Sequence, residues 1–236
     1  MAIANGAVRG ISFDYGHVLG GLDLEELRGR LALTQDAVRL MRDAMPAAYQ
    51  AHDAAIARGE GHEAAWRALM DALLAAAHVA DRDASIDALW RAQPTRNLWR
   101  FVPDEARVLL AELTRRGVPM VITSNSEGRV AELLEEVSIA HHFVAVLDSG
   151  VLGIAKPDRR IFERAASLLG LPLADIVHVG DSEAADIVGA LSAGARAIRF
   201  DGFVPGAELR QTVADARAST FSELSALLFN ATASVG

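Results

Sequence analysis

The sequence predicts an α/β protein whose parallel sheet is interrupted, after its first strand, by an all-helical insert. Three observations carry this. Residues 95–200 alternate short apolar runs with helix-like stretches, and uniformly apolar strands separated by helices make a parallel sheet covered on both faces. An isolated apolar run, 8–13, stands far upstream and ends abruptly at Asp14. Between them, residues 22–93 contain no strand candidate and are dominated by Ala, Leu, Arg and Glu, which are good helix formers.

Taken in order, the first strand is 8–13. In the insert, apolar residues recur at three and four (Leu24, Leu27, Leu31; Ala65, Leu69, Leu73), the spacing of one helix face. Pro46, Gly59-Glu60-Gly61 and Asp81-Arg82-Asp83 read as breaks, which predicts four or five helices. Beyond Pro94, helix 103–116 leads to strand 118–123, and helix 127–137 to strand 143–147. Helix 158–169 then leads to strand 176–179, and helix 183–193 to strand 195–200. Gly117, Gly170 and Gly194 stand where helix C-termini need a left-handed residue. The expected organisation is a discontinuous Rossmann-like core, 1–17 and 97–236, with a helical domain at 18–96.

Composition narrows the chemistry. The chain of 236 residues has no cysteine, which excludes disulfides, thiolate metal sites and a cysteine nucleophile. Its formal charge of −8, with no basic run, is not the footprint of a nucleic-acid binder. The start has no apolar stretch suited to a signal peptide, and the most apolar helical run, 69–80, contains Asp71 and His78 and is too short to span a bilayer. A cytoplasmic protein without nucleic-acid or membrane partners is therefore the expectation. The basic residues comprise 22 arginines and one lysine, Lys156.

Open parallel sheets bind ligands beyond the carboxyl ends of their strands. Polar residues at those ends are Asp14, Ser124 with Asn125, and Asp181 with Asp186 nearby; Lys156 precedes a helix that Pro157 and Asp158 would start well. Singly, each reads as a turn, a helix cap or a surface residue. Together they suit phosphoryl transfer. Gathered carboxylates repel one another and are relieved by a hard cation such as Mg²⁺. One carboxylate can form an acyl phosphate, while a hydroxyl and a lysine hold the transferring group.

FDYGHVL, ITSN, GIAKPDRRIF and VHVGDSEAAD, in this order and spacing, resemble the four motifs of the haloacid dehalogenase (HAD) superfamily. The 18–96 insert resembles its type I helical cap. The resemblance implies that Asp14 is the nucleophile and that Ser124, Asn125 and Lys156 bind the phosphoryl group. It also implies that Asp14, Asp181 and the Gly16 carbonyl hold Mg²⁺. Asp186 would support them, against either the metal's waters or Lys156. The substrate would be a small phosphate ester.

One position departs from the pattern. Where most phosphatases of this superfamily carry a second aspartate two residues after the nucleophile, this chain has Gly16, which has no proton to donate. The same replacement occurs in a branch that includes a sugar-1-phosphate phosphatase, whose hemiacetal leaving group departs readily. His17 is the candidate replacement acid. The alternative is a HAD-fold binding or regulatory protein with weak turnover. Asp181 and Asp186 argue against metal-free dehalogenation, and the lysine-free insert argues against phosphonatase chemistry. In the insert, Arg28, Arg42, Tyr49, His52, His62 and Trp66 read as helix surface or core rather than substrate contacts. His178 reads as an ordinary strand residue.

Overall fold

The computed structural model describes residues 8–204 and 211–232; the side chains of 56, 57 and 62, hence His62, lie outside the described residues. The chain runs from β1 (Gly10–Phe13) into four helices: α1 (Leu24–Leu31), α2 (Gln35–Ala57), α3 (Gly61–Ala76) and α4 (Arg82–Ala92). Then follow α5 (Asp104–Arg115), β2 (Met120–Ser124), α6 (Val130–Glu136), β3 (Ala145–Asp148) and the single turn α7 (Ser149–Leu152). After α8 (Arg159–Leu169) and β4 (Ile176–Gly180), a wide π-type turn (Glu183–Val188) continues into α9 (Gly189–Ala193). β5 (Arg196–Phe200), β6 (Ala216–Ala218) and α10 (Phe221–Thr232) complete it.

The six strands are all parallel, in the order β3-β2-β1-β4-β5-β6. β1, β2 and β4 are buried throughout, as apolar strands covered on both faces must be. α8 and α9 pack Ile161, Phe162, Ala165 and Ala190 into one cluster with Val121, Leu147 and Ala197 of the sheet. This is the Rossmann-like sheet that the alternation predicts; β6 and α10 lie beyond the last predicted element.

Two compact units result. Of the described residues, one comprises 8–21, 100–203 and 211–232, the other 22–99 with Val204. The chain stays with the sheet through residue 21 because residues 15–20 fold into a tight loop and Gly21 pairs with Phe101 (Gly21 N–H to the Phe101 carbonyl, 2.9 Å). In the helical unit, α2 and α3 pack along their length, burying Val38, Met41, Ala48, Tyr49, Trp66, Leu69 and Leu73. Tyr49 and Trp66 are thus core residues, and Trp66 packs on Trp90 with ring centroids 5.1 Å apart. Among the described residues, no helix is long and apolar enough to cross a membrane.

Three local expectations are corrected. Pro46 does not end a helix: α2 runs through it, because the buried stripe Val38, Met41, Ala48, Tyr49 stays in phase across it and packing outweighs one lost backbone bond. The break falls instead at Ala32, left-handed at φ 50°, where the sequence has neither Gly nor Pro. The predicted helix 183–193 opens as a π-type turn. Strands predicted from 118 and 143 start two residues later, since the Val118 N–H closes the end of α5 on the Leu113 carbonyl and the Phe143 N–H closes a turn on the Ala140 carbonyl.

Candidate active site

Every sequence-predicted site residue lies in the α/β unit. β1 is the switch point of the sheet: the chain proceeds from it to β2 on one side, and β4, its other neighbour, leads outward to β5. Asp14 is the first residue past β1, and its N–H bonds the Val179 carbonyl of β4 at 2.8 Å. Asp181 is the first residue past β4. Ser124 ends β2, buried one strand over. Lys156 comes from the loop before α8, and Asn125 clamps its backbone: the Asn125 amide donates to the Lys156 carbonyl (2.9 Å) and accepts from its N–H (2.8 Å). Asn125, expected at the phosphate, therefore has its amide engaged in holding the lysine.

The Lys156 ammonium lies 3.0 Å from Asp14 Oδ1 and 2.6 Å from Asp186 Oδ1. Asp186 is fixed by the π-type turn, its other oxygen accepting the Ser182 N–H at 2.9 Å. A Cβ at Gly180 would come within 2.2 Å of the Asp186 Cβ, so the glycine of the VGD run is required for the carboxylate to cross the strand end. A Cβ at Gly189 would come within 3.1 Å of Pro157 and 3.0 Å of Phe162, so the glycine eases their close approach.

Burial raises the Asp14 carboxyl to about 6, against the pull of Lys156 and with the push of Asp186 and Asp181. Asp186 is also opposed by burial, but Lys156 and His178 hold it below the usual carboxylate range. For Lys156 the desolvation penalty is outweighed by the two carboxylates, which raise it. Carboxylate oxygens of Asp14, Asp181 and Asp186 lie within 4.8 Å of one another. Three carboxylates against one ammonium leave excess negative charge on hard oxygen donors. This donor set fits a small divalent cation such as Mg²⁺.

A model of the haloacid dehalogenase-like hydrolase family matches residues 22–194. The chain belongs to this family. It is 40% identical to a phosphoserine phosphatase of Thermus thermophilus over 98 residues, 41% of this chain and 39% of that one. Over 91 residues it is 38% identical to a phosphoglycolate phosphatase of Neisseria meningitidis, 38% of each chain. The chain thus spans less than half the length of these curated relatives. Among solved structures, YfnB from Bacillus subtilis, bound to magnesium, superposes with a TM-score of 0.66 at 18% identity, over 94% of this chain and 99% of that one. A dehalogenase structure gives 0.59 at 22% identity, over 95% and 98%. At such identities the structural likeness is one of fold.

Within this HAD-family site, Gly16 and His17 lie in the tight loop after Asp14. Gly16 bridges to Gly20, and the His17 N–H bonds the Gly20 carbonyl at 2.7 Å. A side chain at Gly20 would strike the Tyr15 ring at 2.4 Å. His17 is left-handed, at φ 58°, and its Nδ1 lies 3.4 Å from Asp181 Oδ2. The loop therefore turns the imidazole toward the carboxylates. Sequence reasoning missed two residues behind the site: His178, whose Nε2 is 3.0 Å from Asp186 Oδ1, and Ser12, 2.9 Å from His178 Nδ1. The available signal was a polar residue inside each of two otherwise apolar strands, GISF and IVHVG.

Proposed function

We propose that the protein is a phosphatase hydrolysing small phosphomonoesters, sugar phosphates among them, through an aspartyl-phosphate on Asp14. The observation that carries this reading is the Lys156 ammonium set between Asp14 and Asp186, with Asp181 alongside, at the switch point of the sheet. The phosphatase names of the matched relatives support it. With Asp14, Lys156, Asp181 and Asp186 all gathered, the site favours turnover over a binding-only role even though Gly16 stands in place of the usual acid.

Asp14, near 6, is still mostly carboxylate at neutral pH. One of its oxygens attacks phosphorus as the bond to the leaving oxygen breaks. Lys156 and Ser124 hold the phosphoryl oxygens, with Asn125 fixing the lysine's backbone. His17 supplies the proton that the leaving oxygen takes. Water then attacks phosphorus, giving one proton back to His17, as the bond to Asp14 breaks, releasing phosphate and restoring the Asp14 carboxylate. Mg²⁺, held by Asp14, Asp181 and the Gly16 carbonyl, would neutralise charge on the phosphoryl oxygens. Gly16 favours substrates that leave readily, as an anomeric phosphate does.

A panel of phosphomonoesters assayed with Mg²⁺ and with EDTA, beside Asp14→Asn, tests the reading. Turnover that needs the metal and vanishes in Asp14→Asn is expected. Ligand-induced stabilisation without turnover across the panel would refute it.

A further inference from the structure

A buried polar chain runs behind the site across three strands. Thr123 Oγ1 of β2 lies 2.9 Å from Ser12 Oγ of β1, which lies 2.9 Å from His178 Nδ1 of β4. His178 Nε2 lies 3.0 Å from Asp186 Oδ1, the same oxygen that Lys156 contacts at 2.6 Å. All five residues are buried, and polar groups in a sheet covered on both faces are costly unless each finds a partner.

Asp186 beside the ammonium accepts, so His178 Nε2 donates to it. A neutral ring then bears its lone pair on Nδ1, and Ser12 donates to it while the Ser12 oxygen accepts from Thr123. Phe162 of α8 closes over the imidazole edge-on, 5.2 Å between centroids. The tautomer and orientation of the ring are thus set from both sides.

We propose that His178, fixed as its Nε2–H form by Ser12, is a positioning residue that holds Asp186 Oδ1 and so aims the Lys156 ammonium at Asp14. A lysine ammonium is a point charge on a flexible four-carbon stem, and the stem alone does not define where it sits. Asp186 does, being anchored by His178 on one oxygen and by Ser182 on the other. The kinetic consequence rests on the phosphatase reading; the geometric one does not.

Because Lys156 is the only lysine, ¹⁵N-lysine labelling gives one side-chain ammonium resonance, visible only while the group is held and protected from exchange. Wild type is expected to show it. His178→Phe keeps a ring but not the donor: the resonance is expected to disappear and kcat for p-nitrophenyl phosphate to fall about 10- to 100-fold, with KM changed less. His178→Gln retains a donor toward Asp186 and should restore the resonance and most of the rate. A folded His178→Phe with the wild-type resonance and kcat within about twofold overturns the proposal, as does a Gln variant no better than Phe. If wild type hydrolyses no phosphomonoester, the phosphatase reading fails while the resonance still decides the positioning role. Should His178→Phe not fold, Ser12→Ala carries the test. There the ring is held by Asp186 alone, so the Lys156 resonance is expected to weaken and kcat to fall severalfold; a wild-type resonance and rate overturn the proposal.

Discussion

Gly16 stands two residues after Asp14, where a carboxylate would reach the leaving oxygen and a glycine has no proton to give. The imidazole of that loop, His17, has a left-handed backbone and lies 3.4 Å from Asp181. Removing a general acid typically costs about 10²–10⁴ in rate, and the loss is largest when the leaving group is a poor one. His17→Ala is therefore expected to lower kcat on an alkyl phosphate much more than on p-nitrophenyl phosphate, with KM little changed. Equal losses on both esters would remove His17 from the chemistry. Gly16→Asp is expected to raise turnover on the alkyl ester; a fall with the fold intact would mean that the loop is built around the glycine. The reactive side chains were legible as a set, because Asp14, Ser124 and Asp181 end apolar runs and Asp186 and Lys156 stand close to others. The role of Asn125 was not: its amide meets a backbone 31 residues away, and no local pattern records that.

At the level of elements, the sheet strands and the helices between them follow from alternation, since uniform apolarity is what a strand covered on both faces needs. Their ends are less legible because they are set by long-range partners. α6 starts at Val130, whose N–H is capped by Asp148 of β3 at 3.0 Å, well after its helix-like sequence begins. Pro46 shows the converse. Its ring removes one backbone bond from α2 but leaves the buried stripe in phase, and the contact with α3 keeps the helix whole. Pro46→Ala restores a donor and is expected to stabilise the protein by up to about 3 kcal/mol in urea unfolding. No gain would show that the pyrrolidine ring contributes packing of its own. The π-type turn has a comparable cause: Asp186 must reach Lys156, His178 and the Ser182 N–H together, and the chain widens there to let it.

On the scale of the molecule, the helical unit is closed by charge where its two ends meet. Glu26 of α1 accepts from Arg96 beyond α4 at 2.6 and 3.0 Å, and from Arg30 at 2.8 Å. These bonds, that from Arg96 foremost, lower its carboxyl to about 2. A folded-state value below the unfolded one gives stability that is present above the unfolded pKa of 4.5 and lost as pH falls toward 2. Glu26→Gln is thus expected to be less stable than wild type at neutral pH, with the gap closing between pH 4.5 and 2. Unfolding midpoints measured across that range check it, and a pH-independent gap would refute it. The sequence by itself determined the α/β class, the helical insert and the strand-end residues Asp14, Ser124 and Asp181, with Asp186 and Lys156 close by. Periodicity and punctuation are local properties, and a parallel sheet presents the carboxyl ends of its strands on one edge. Only the tertiary structure decided that Ser12, Thr123 and His178 form one hydrogen-bonded chain. A polar residue in a strand reads the same in one dimension whatever lies beside it, and its partner is chosen by the strand order that sets β1 between β2 and β4.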